Sequence, residues 1–443
     1  MNSSTTDIHI LQFGTGNFLR GFFEPMIQDL NESGKPLKIC IIQSTGGNSL
    51  EKLRKQNFEY HVLEAGIKNG KKVEKIQQIT CIKDGLSLPN EAEKFLGLAE
   101  NKNVKWIISN VTEAGLVWKN EGPIEKFAES FAGRLTQWLF KRFERLPQSE
   151  TVILPCELLT GNGDILRDFV IRHAGSWLLP EEFFIWLDQQ VYFFNNLVDR
   201  IVPGFPAHLN IPEKDSDPLL VQTEPYSFWA IQGCPDDVSR LPFIKSHSEV
   251  IIAAEIGDFA LRKIRILNGC HTWMAVKNLW KTEVNTVGEF MGNSANRELM
   301  MWMLNQEIIP SIKLPKEELE KYAAEIFDRF ANPFVAHQLR DIALNSVAKF
   351  KSRLLPVIEY SISTTKKVPP MAGKGLLYLT LSYLTKLEQV RDTAEALEFF
   401  RSIPSETVLE QQVRIVLEKL FNLSWNEQWD ALLQEILTEN QFV

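Results

Sequence analysis

The sequence predicts an α/β domain of the Rossmann-like, dinucleotide-binding kind followed by an all-α domain. Three observations carry that expectation. An apolar run at residues 8–13 meets a glycine turn, Gly14-Thr15-Gly16, which leads into a stretch with Phe22, Phe23 and Met26 on one helical face. Further short apolar runs, bounded by polar or glycine-containing loops, follow as far as residue 253. From Gly257 onward, long segments of helical period replace them. With 443 residues the chain exceeds one ordinary core, so two domains are expected, a Rossmann-like domain at 1–256 and a helical substrate domain at 257–443.

Residues 8–13 are expected to form a first buried strand. Strand, glycine turn and helix together make a phosphate cradle: glycine admits backbone close to a pyrophosphate, and the helix N-terminus offers unpaired N–H donors. The match to the dinucleotide fingerprint is partial, because Leu19 stands where the third glycine belongs and the next glycine is Gly21. Residues 38–43 read as the second strand. Such folds often end it with Asp or Glu for the adenosine ribose. Here Gln43, Ser44 and Thr45 stand there, which leaves the choice between NAD and NADP open.

A strand at 104–109 runs into Asn110-Val111-Thr112-Glu113-Ala114-Gly115, and one at 151–154 runs into Pro155-Cys156-Glu157-Leu158 and on to Asn162-Gly163. Small and polar residues at C-terminal strand ends are where open α/β sheets hold ligands. A helix is expected between these strands at 124–143. Val198-Asp199-Arg200-Ile201 then leads to a proline-rich loop at 203–218, and 227–232 and 249–253 are expected as the sheet's last strands. In the second domain, helices are expected at 284–291, 295–309, 316–330, 337–358, 375–387, 393–400, 406–421 and 429–437, with a loop at 366–370.

Composition narrows the function classes. Hydrophobic residues at 44% and charged residues at 23% are those of a globular protein. A net charge of -8 carries no electrostatic footprint for nucleic acid or an anionic membrane, so an anionic substrate needs locally placed Arg or Lys. Every apolar stretch is interrupted before it reaches membrane-spanning length, and the polar start, Met1 to Asp7, does not read as a signal peptide. Five scattered cysteines form no C-x-x-C pair and the seven histidines no metal-binding spacing, which points to a reduced, cytoplasmic compartment and to no metal. The oligomeric state is left open.

The stretch Lys263-Ile264-Arg265-Ile266-Leu267-Asn268-Gly269-Cys270-His271 falls near the expected domain junction. Leu261, Ile264, Leu267, Cys270 and Met274 recur every three or four positions, which predicts a buried amphipathic helix. At about 100° per residue, Lys263, Asn268 and His271 fall within an arc of roughly 140°. A lysine held out of water loses solvation for its ammonium form, and its falling pKa makes it a usable base near neutral pH. An amide beside it can hold an oxygen on which negative charge develops. That is equipment for taking a proton from an alcohol while hydride leaves the carbon. The plainer reading is a solvated lysine with two satisfied polar neighbours.

These motifs, in order and over nearly the whole chain, resemble the polyol-specific long-chain dehydrogenases, the mannitol dehydrogenase family. Gly14-x-Gly16-Asn17-Phe18-x-Arg20-Gly21 is similar to its nucleotide turn. Thr112-Glu113-Ala114-Gly115, Val198-Asp199-Arg200-Ile201 with Pro203, and Lys263-x4-Asn268-x2-His271 are similar to its further signatures. Asn332-Pro333, followed by Lys349, Arg353 and Pro356, resembles its C-terminal substrate-domain pattern. The residues around Asn110, Glu157, Asn268, His337 and Lys349 are most similar to the branch that acts on a sugar acid.

The resemblance implies an NAD-dependent oxidoreductase that interconverts D-altronate and D-tagaturonate in hexuronate breakdown. Mannitol, fructose or fructuronate (D-mannonate) are alternative substrates, and a non-catalytic nucleotide-binding protein is the remaining alternative. It implies NAD held by Phe13, Gly14, Gly16, Asn17, Phe18, Asn110, Thr112 and Glu113. Lys263 is implied as acid and base, Asn268 as holder of the substrate oxygen, and His271 as the residue that positions either. Asn162, Asp199, His337, Lys349 and Arg353 are the implied substrate contacts, although Lys349 and Arg353, at i and i+4, also fit an exposed helix face. Two departures stand out. Leu158 occupies the place of a family asparagine that helps bind the reacting oxygen, which leaves Asn162 as a candidate partner for Asn268. Asp341, with Arg340 beside it, occupies the place of a substrate-binding arginine.

Overall fold

The computed structural model describes residues 7–111, 115–245, 247–282 and 284–439. The chain divides into two compact units, Met1–Ala65 with Lys72–Ile256 and Gly66–Lys71 with Gly257–Val443.

The first unit is built on six parallel strands: β1 (Ile10–Phe13), β2 (Ile39–Gln43), β3 (Ile82–Ser87), β4 (Trp106–Ser109), β5 (Thr151–Pro155) and β6 (Val191–Phe193). Their order is β3-β2-β1-β4-β5-β6, the Rossmann order, in which the winding reverses between β1 and β4. Both faces of the sheet are buried. Ile10, Ile41, Ile108 and Leu154 point into one core, while Leu11, Phe13, Ile42, Ile107 and Ile153 point into the other. Strands covered on both sides read as continuous apolar runs. The helix α1 (Asn17–Glu32) covers the first face through Leu19, Phe22, Phe23 and Ile27. Phe131–Arg145 and Asn162–Ser176 cover the second through Leu135, Trp138, Leu166 and Val170.

Two expectations are corrected here. Phe228–Gln232 and Val250–Ala253 do not extend this sheet. With Asn196–Asp199 they form a separate three-stranded sheet, in which Phe228–Gln232 runs parallel to Val250–Ala253 and antiparallel to Asn196–Asp199. The helix expected at 124–143 starts only at Phe131. Ser130 caps it by accepting from Gly133 N (3.0 Å), and the Glu121 carboxylate accepts from Glu129 N (2.7 Å), which keeps the preceding chain in a loop. Gly21 is a close-approach glycine of α1: a Cβ there would stand 2.7 Å from Val202 and 3.1 Å from Val221. A further sheet, Tyr60–Lys68 and Lys71–Ile79 with Val221–Thr223, has no clear periodic signal because Lys71–Ile79 is mostly exposed.

The second unit is helical. Gly269–Trp280 packs against Pro370–Thr385, and Gly375 permits the approach, since a Cβ there would lie 2.7 Å from Trp273. Trp273 Nε1 donates to Met371 O at 2.7 Å. The continuous helix expected at 337–358 is in three pieces, Leu339–Ile342, Ser346–Arg353 and Leu355–Thr365. Asn345 breaks it with a left-handed φ of 57°, and Pro356 begins the third piece because it has no N–H to continue the second. The helix around Lys263 is also interrupted. It is α-helical over Gly257–Arg262, a π-helix over Lys263–Asn268 and α-helical again from Gly269. A second π segment spans Leu304–Ile308. Among the described residues, no helix is long and apolar enough to cross a membrane.

Candidate active site

The glycine turn follows β1 at the point where the winding reverses. Gly14 has a φ of 121°, and a Cβ would stand 3.0 Å from Asn110 O, so only glycine fits. Gly16 is exposed, with nothing within 4 Å of a Cβ position. It precedes α1 without a side-chain cap, and the first turn of α1 holds no acid. The uncapped N–H groups and the positive end of the helix dipole suit a pyrophosphate. Behind the turn, Gln12 Nε2 donates to Gly14 O (3.1 Å) and to Glu24 Oε1 (2.7 Å), and Tyr60 OH donates to Glu24 Oε2 (2.6 Å). Burial raises the Glu24 pKa, with both donors opposing. Asn17 Oδ1 accepts from Arg20 Nη2 (2.7 Å), and Phe18 stacks on Phe22 with centroids 4.9 Å apart. The Phe13 ring is buried against Phe95 and Phe131, so its backbone alone is left to face a cofactor.

The loops after β4 and β5 are locked together. Asn110 Nδ2 donates to Cys156 O (2.8 Å), and the buried Glu157 carboxylate accepts from Val111 N (2.9 Å) and Ser109 Oγ (3.2 Å). Burial raises the Glu157 pKa, and the backbone donor Val111 opposes it. Thr112 and Glu113 lie outside the described residues. The role expected for Asn162 is corrected. Its Nδ2 donates to Glu157 O and Asn196 O, and its Oδ1 accepts from Gly163 N and Asn196 N, all at 3.0 Å. Buried and fully bonded, it fixes the strand-end loop and has no donor left for a substrate oxygen. Asp199 is buried at the end of Asn196–Asp199. Its neighbour Arg200 reaches Glu64 Oε2 (2.8 Å), Glu224 O (2.9 Å) and Gly21 O (3.0 Å), tying that strand to α1. A cavity of about 460 Å³ lined by Ile8, Cys40 and Leu98 lies towards the strand N-termini, the end of the sheet away from these loops.

In the second unit the π segment changes the expected geometry. Each N–H of a π turn bonds five residues back, so residues five apart become neighbours, as residues four apart do in an α-helix. Lys263 and Asn268 are five apart. An α-helix separates them by about 140°; the π turn brings them onto one face. Both are half-buried, and His271, one turn on, is buried. Arg353 Nη1 donates to Thr272 Oγ1 (3.0 Å) and Asn268 O (3.5 Å). In return Arg265 donates to Ser352 O and to Arg353 O (3.3 Å). The two arginines clamp the π turn to the end of Ser346–Arg353. Spacing alone gives no sign of these roles for Arg265 and Thr272.

Cation-forming side chains gather beside this turn. The His271 ring lies 4.8 Å from that of His337 and 4.7 Å from Phe330. Burial lowers the His337 pKa and the Lys349 charge adds to it, while Asp341 opposes. Burial likewise lowers the Lys349 pKa, Arg353 adds to it, and Asp392 opposes. Burial lowers the Arg353 pKa as well. Lys349 and Arg353 are half-buried rather than an exposed helix face. Lys349 Nζ donates to Ile342 O (2.8 Å), and neither cation forms an ion pair among the described residues. The nearby acids are engaged elsewhere: Asp392 accepts from Val347 N (3.0 Å) and from the Tyr383 hydroxyl, and Asp341 pairs with Arg391 (3.4 Å). A bound carboxylate would relieve this mutual repulsion.

The mannitol dehydrogenase Rossmann-domain profile matches residues 8–244, and the mannitol dehydrogenase C-terminal-domain profile matches residues 255–396. The chain belongs to the mannitol dehydrogenase family. Among relatives in this family, the altronate oxidoreductase of Halalkalibacterium halodurans is 35% identical, over 90% of this chain and 82% of that one. The altronate oxidoreductase of Bacillus subtilis is 34% identical, over 89% of this chain and 83% of that one. Among solved structures, D-sorbitol dehydrogenase in substrate-free form superposes with a TM-score of 0.76 at 19% identity, over 97% of this chain and 96% of that one. Mannitol 2-dehydrogenase of Pseudomonas fluorescens, a ternary complex with NAD and D-mannitol, has a TM-score of 0.67 at 19% identity, over 97% of this chain and 90% of that one. These two likenesses establish the mannitol dehydrogenase fold, a Rossmann-like domain followed by a helical one.

Proposed function

We propose that this chain, an oxidoreductase by its family, interconverts D-altronate and D-tagaturonate with NAD(H) in hexuronate breakdown. The observation that carries the choice of a sugar acid is the His337, Lys349 and Arg353 group beside His271, which is built to receive a carboxylate. The names of its relatives support the same substrate pair. The Gly14–Gly16 turn and the uncapped start of α1 fit a pyrophosphate, and NAD in the Pseudomonas fluorescens complex supports that cofactor. Asn110, Thr112 and Glu113 would line the nicotinamide end. Four buried cysteines and one exposed one, all free thiols, support a cytoplasmic setting.

Bound nicotinamide supplies or accepts the hydride. Lys263 Nζ takes the proton of the secondary hydroxyl during oxidation and returns it during reduction. Asn268 Nδ2 holds the same oxygen as charge develops on it, and His271 orients it. The π turn makes this pairing possible, because it sets amine and amide on one face. His337 and Lys349 hold the carboxylate, and Arg353 supports them while bracing Asn268 and Thr272. Asp199 is assigned to the substrate end of the first unit. With a cationic acid to polarise the carbonyl, the proposed reaction needs no metal.

Side-by-side NADH oxidation with tagaturonate, fructuronate and fructose tests the reading. Tagaturonate is expected to turn over fastest; a faster reaction with fructuronate or fructose would reassign the substrate. NADH binding with no turnover on any sugar acid would favour a non-catalytic nucleotide-binding protein.

A further inference from the structure

The adenosine end of the cofactor site departs from what an NAD-selective enzyme needs. Such enzymes commonly end the second strand in Asp or Glu, whose carboxylate bonds the ribose hydroxyls and repels a 2′-phosphate. Here β2 ends in Gln43, and its own loop engages both ends of that side chain. Gln43 Oε1 accepts from Leu50 N (3.0 Å) and Nε2 donates to Gly47 O (3.1 Å). The neighbouring strand brings one carboxylate to this edge, because Ser87 pairs with Gln43 and Glu91 follows shortly after. That carboxylate is already matched by two cations. Glu91 Oε2 accepts from Arg54 Nη2 (2.7 Å) and Ser87 N (2.9 Å), and Oε1 accepts from Lys94 Nζ (2.9 Å).

What the loop presents instead is neutral or positive. Ser44 Oγ is shut away from solvent with no hydrogen-bond partner among the described residues. Arg134, buried on Phe131–Arg145, donates Nη1 to Ser44 O (3.1 Å) and Nε to Ala128 O (2.9 Å), which sets a guanidinium charge against the same loop. The Glu121 and Glu129 charges also act on Arg134. Glu121 is held there by Glu129 N, Ser130 and His173. Thr45, Gly46 and Gly47 are exposed, and no atom lies within 4 Å of a Cβ position on either glycine, so no side chain bars a phosphate.

We infer that this loop does not exclude a 2′-phosphate, so that the enzyme accepts NADP(H) as well as NAD(H), with Ser44 and Arg134 at the phosphate-bearing ribose. The inference rests on the dinucleotide reading given above. Isothermal titration of the purified protein with NADH and with NADPH tests it directly. Dissociation constants within about tenfold of each other are expected, because β2 does not end in a carboxylate and Glu91 is matched by Arg54 and Lys94. NADPH weaker than NADH by more than about tenfold would overturn the inference and leave the dinucleotide reading standing. If neither nucleotide binds, both fall. Ser44→Asp restores a carboxylate at the strand end, and the NADPH-to-NADH ratio of dissociation constants is expected to rise by about tenfold or more. No change in that ratio would remove Ser44 from the ribose end.

Discussion

The rings of His271 and His337 meet edge to face, with centroids 4.8 Å apart and planes at 78°. One sits on the helix that leaves the π turn, and the other on the chain just before Leu339–Ile342. Burial and the Lys349 charge hold His337 below its ordinary value of 6.5, against the pull of Asp341. The unfolded chain therefore binds more protons than the folded one just below that pH, and this site's contribution to stability is lost as pH falls from about 6.5 through the lowered folded value. A bound carboxylate acts in the opposite sense, favouring protonated His337. KM for the sugar acid is expected to fall between about pH 7.5 and pH 6, where the substrate carboxylate stays ionised. A flat profile, or the same profile in His337→Phe, would remove His337 from the carboxylate site.

Lys349→Met tests the same group without a titration. Losing one charge-assisted hydrogen bond should raise KM for tagaturonate by about 10- to 100-fold with little change in kcat. NADH affinity, read by fluorescence titration, should stay as it was. A loss confined to kcat would mean that Lys349 acts on the reacting atoms and not on the carboxylate.

Two alanine substitutions in the glycine turn are expected to behave differently. Gly14→Ala forces a strained φ and a 3.0 Å approach to Asn110 O, so it should destabilise the fold by about 1–3 kcal/mol. Gly16→Ala meets no atom within 4 Å. It should leave the melting temperature nearly unchanged and still weaken NADH by about tenfold or more, because the methyl group occupies the pyrophosphate cradle. Tight NADH binding by Gly16→Ala would move the phosphate elsewhere.

Glu307 titrates in a buried place. It lies on the second π segment and accepts from Met371 N and Ala372 N, both at 2.7 Å, in the first turn of Pro370–Thr385. Burial raises its pKa to about 7 although both donors oppose the shift. Between 4.5 and about 7 the folded protein keeps a proton that the unfolded chain has released, so stability falls as pH rises through that window. The loss is roughly 3 kcal/mol once Glu307 is fully ionised. Glu307→Gln cannot titrate, and its melting temperature should vary less between about pH 5 and pH 7.5. An unchanged slope would place the titration elsewhere.

The path from β1 through the glycine turn into α1 is legible in the sequence because parallel strands buried on both faces leave unbroken apolar runs. The strands at 196–199, 228–232 and 250–253 are too short for periodicity to say which sheet they join. The π turn is hidden for a different reason. Leu261, Ile264, Leu267 and Cys270 satisfy an α-helical period, and the inserted widening shows only in which polar residues come to share a face. Lys263, Asn268 and His271 can thus be nominated from spacing, whereas their arrangement cannot. Asn162 shows the reverse case: its position at a strand end suggests a ligand contact, but its four hydrogen bonds exist only in the folded loop. Arg265 and Thr272 gain their roles from Ser346–Arg353, more than 70 residues away in sequence, which no local pattern encodes.

The proton-transfer role of Lys263 is tested most directly by tagaturonate-dependent NADH oxidation in purified Lys263→Ala, with NADH binding measured on the same sample. Turnover should fall by about 100-fold or more while NADH binds nearly as in the parent enzyme. Reduction at the parent rate would contradict the account and return Lys263 to an ordinary solvated lysine.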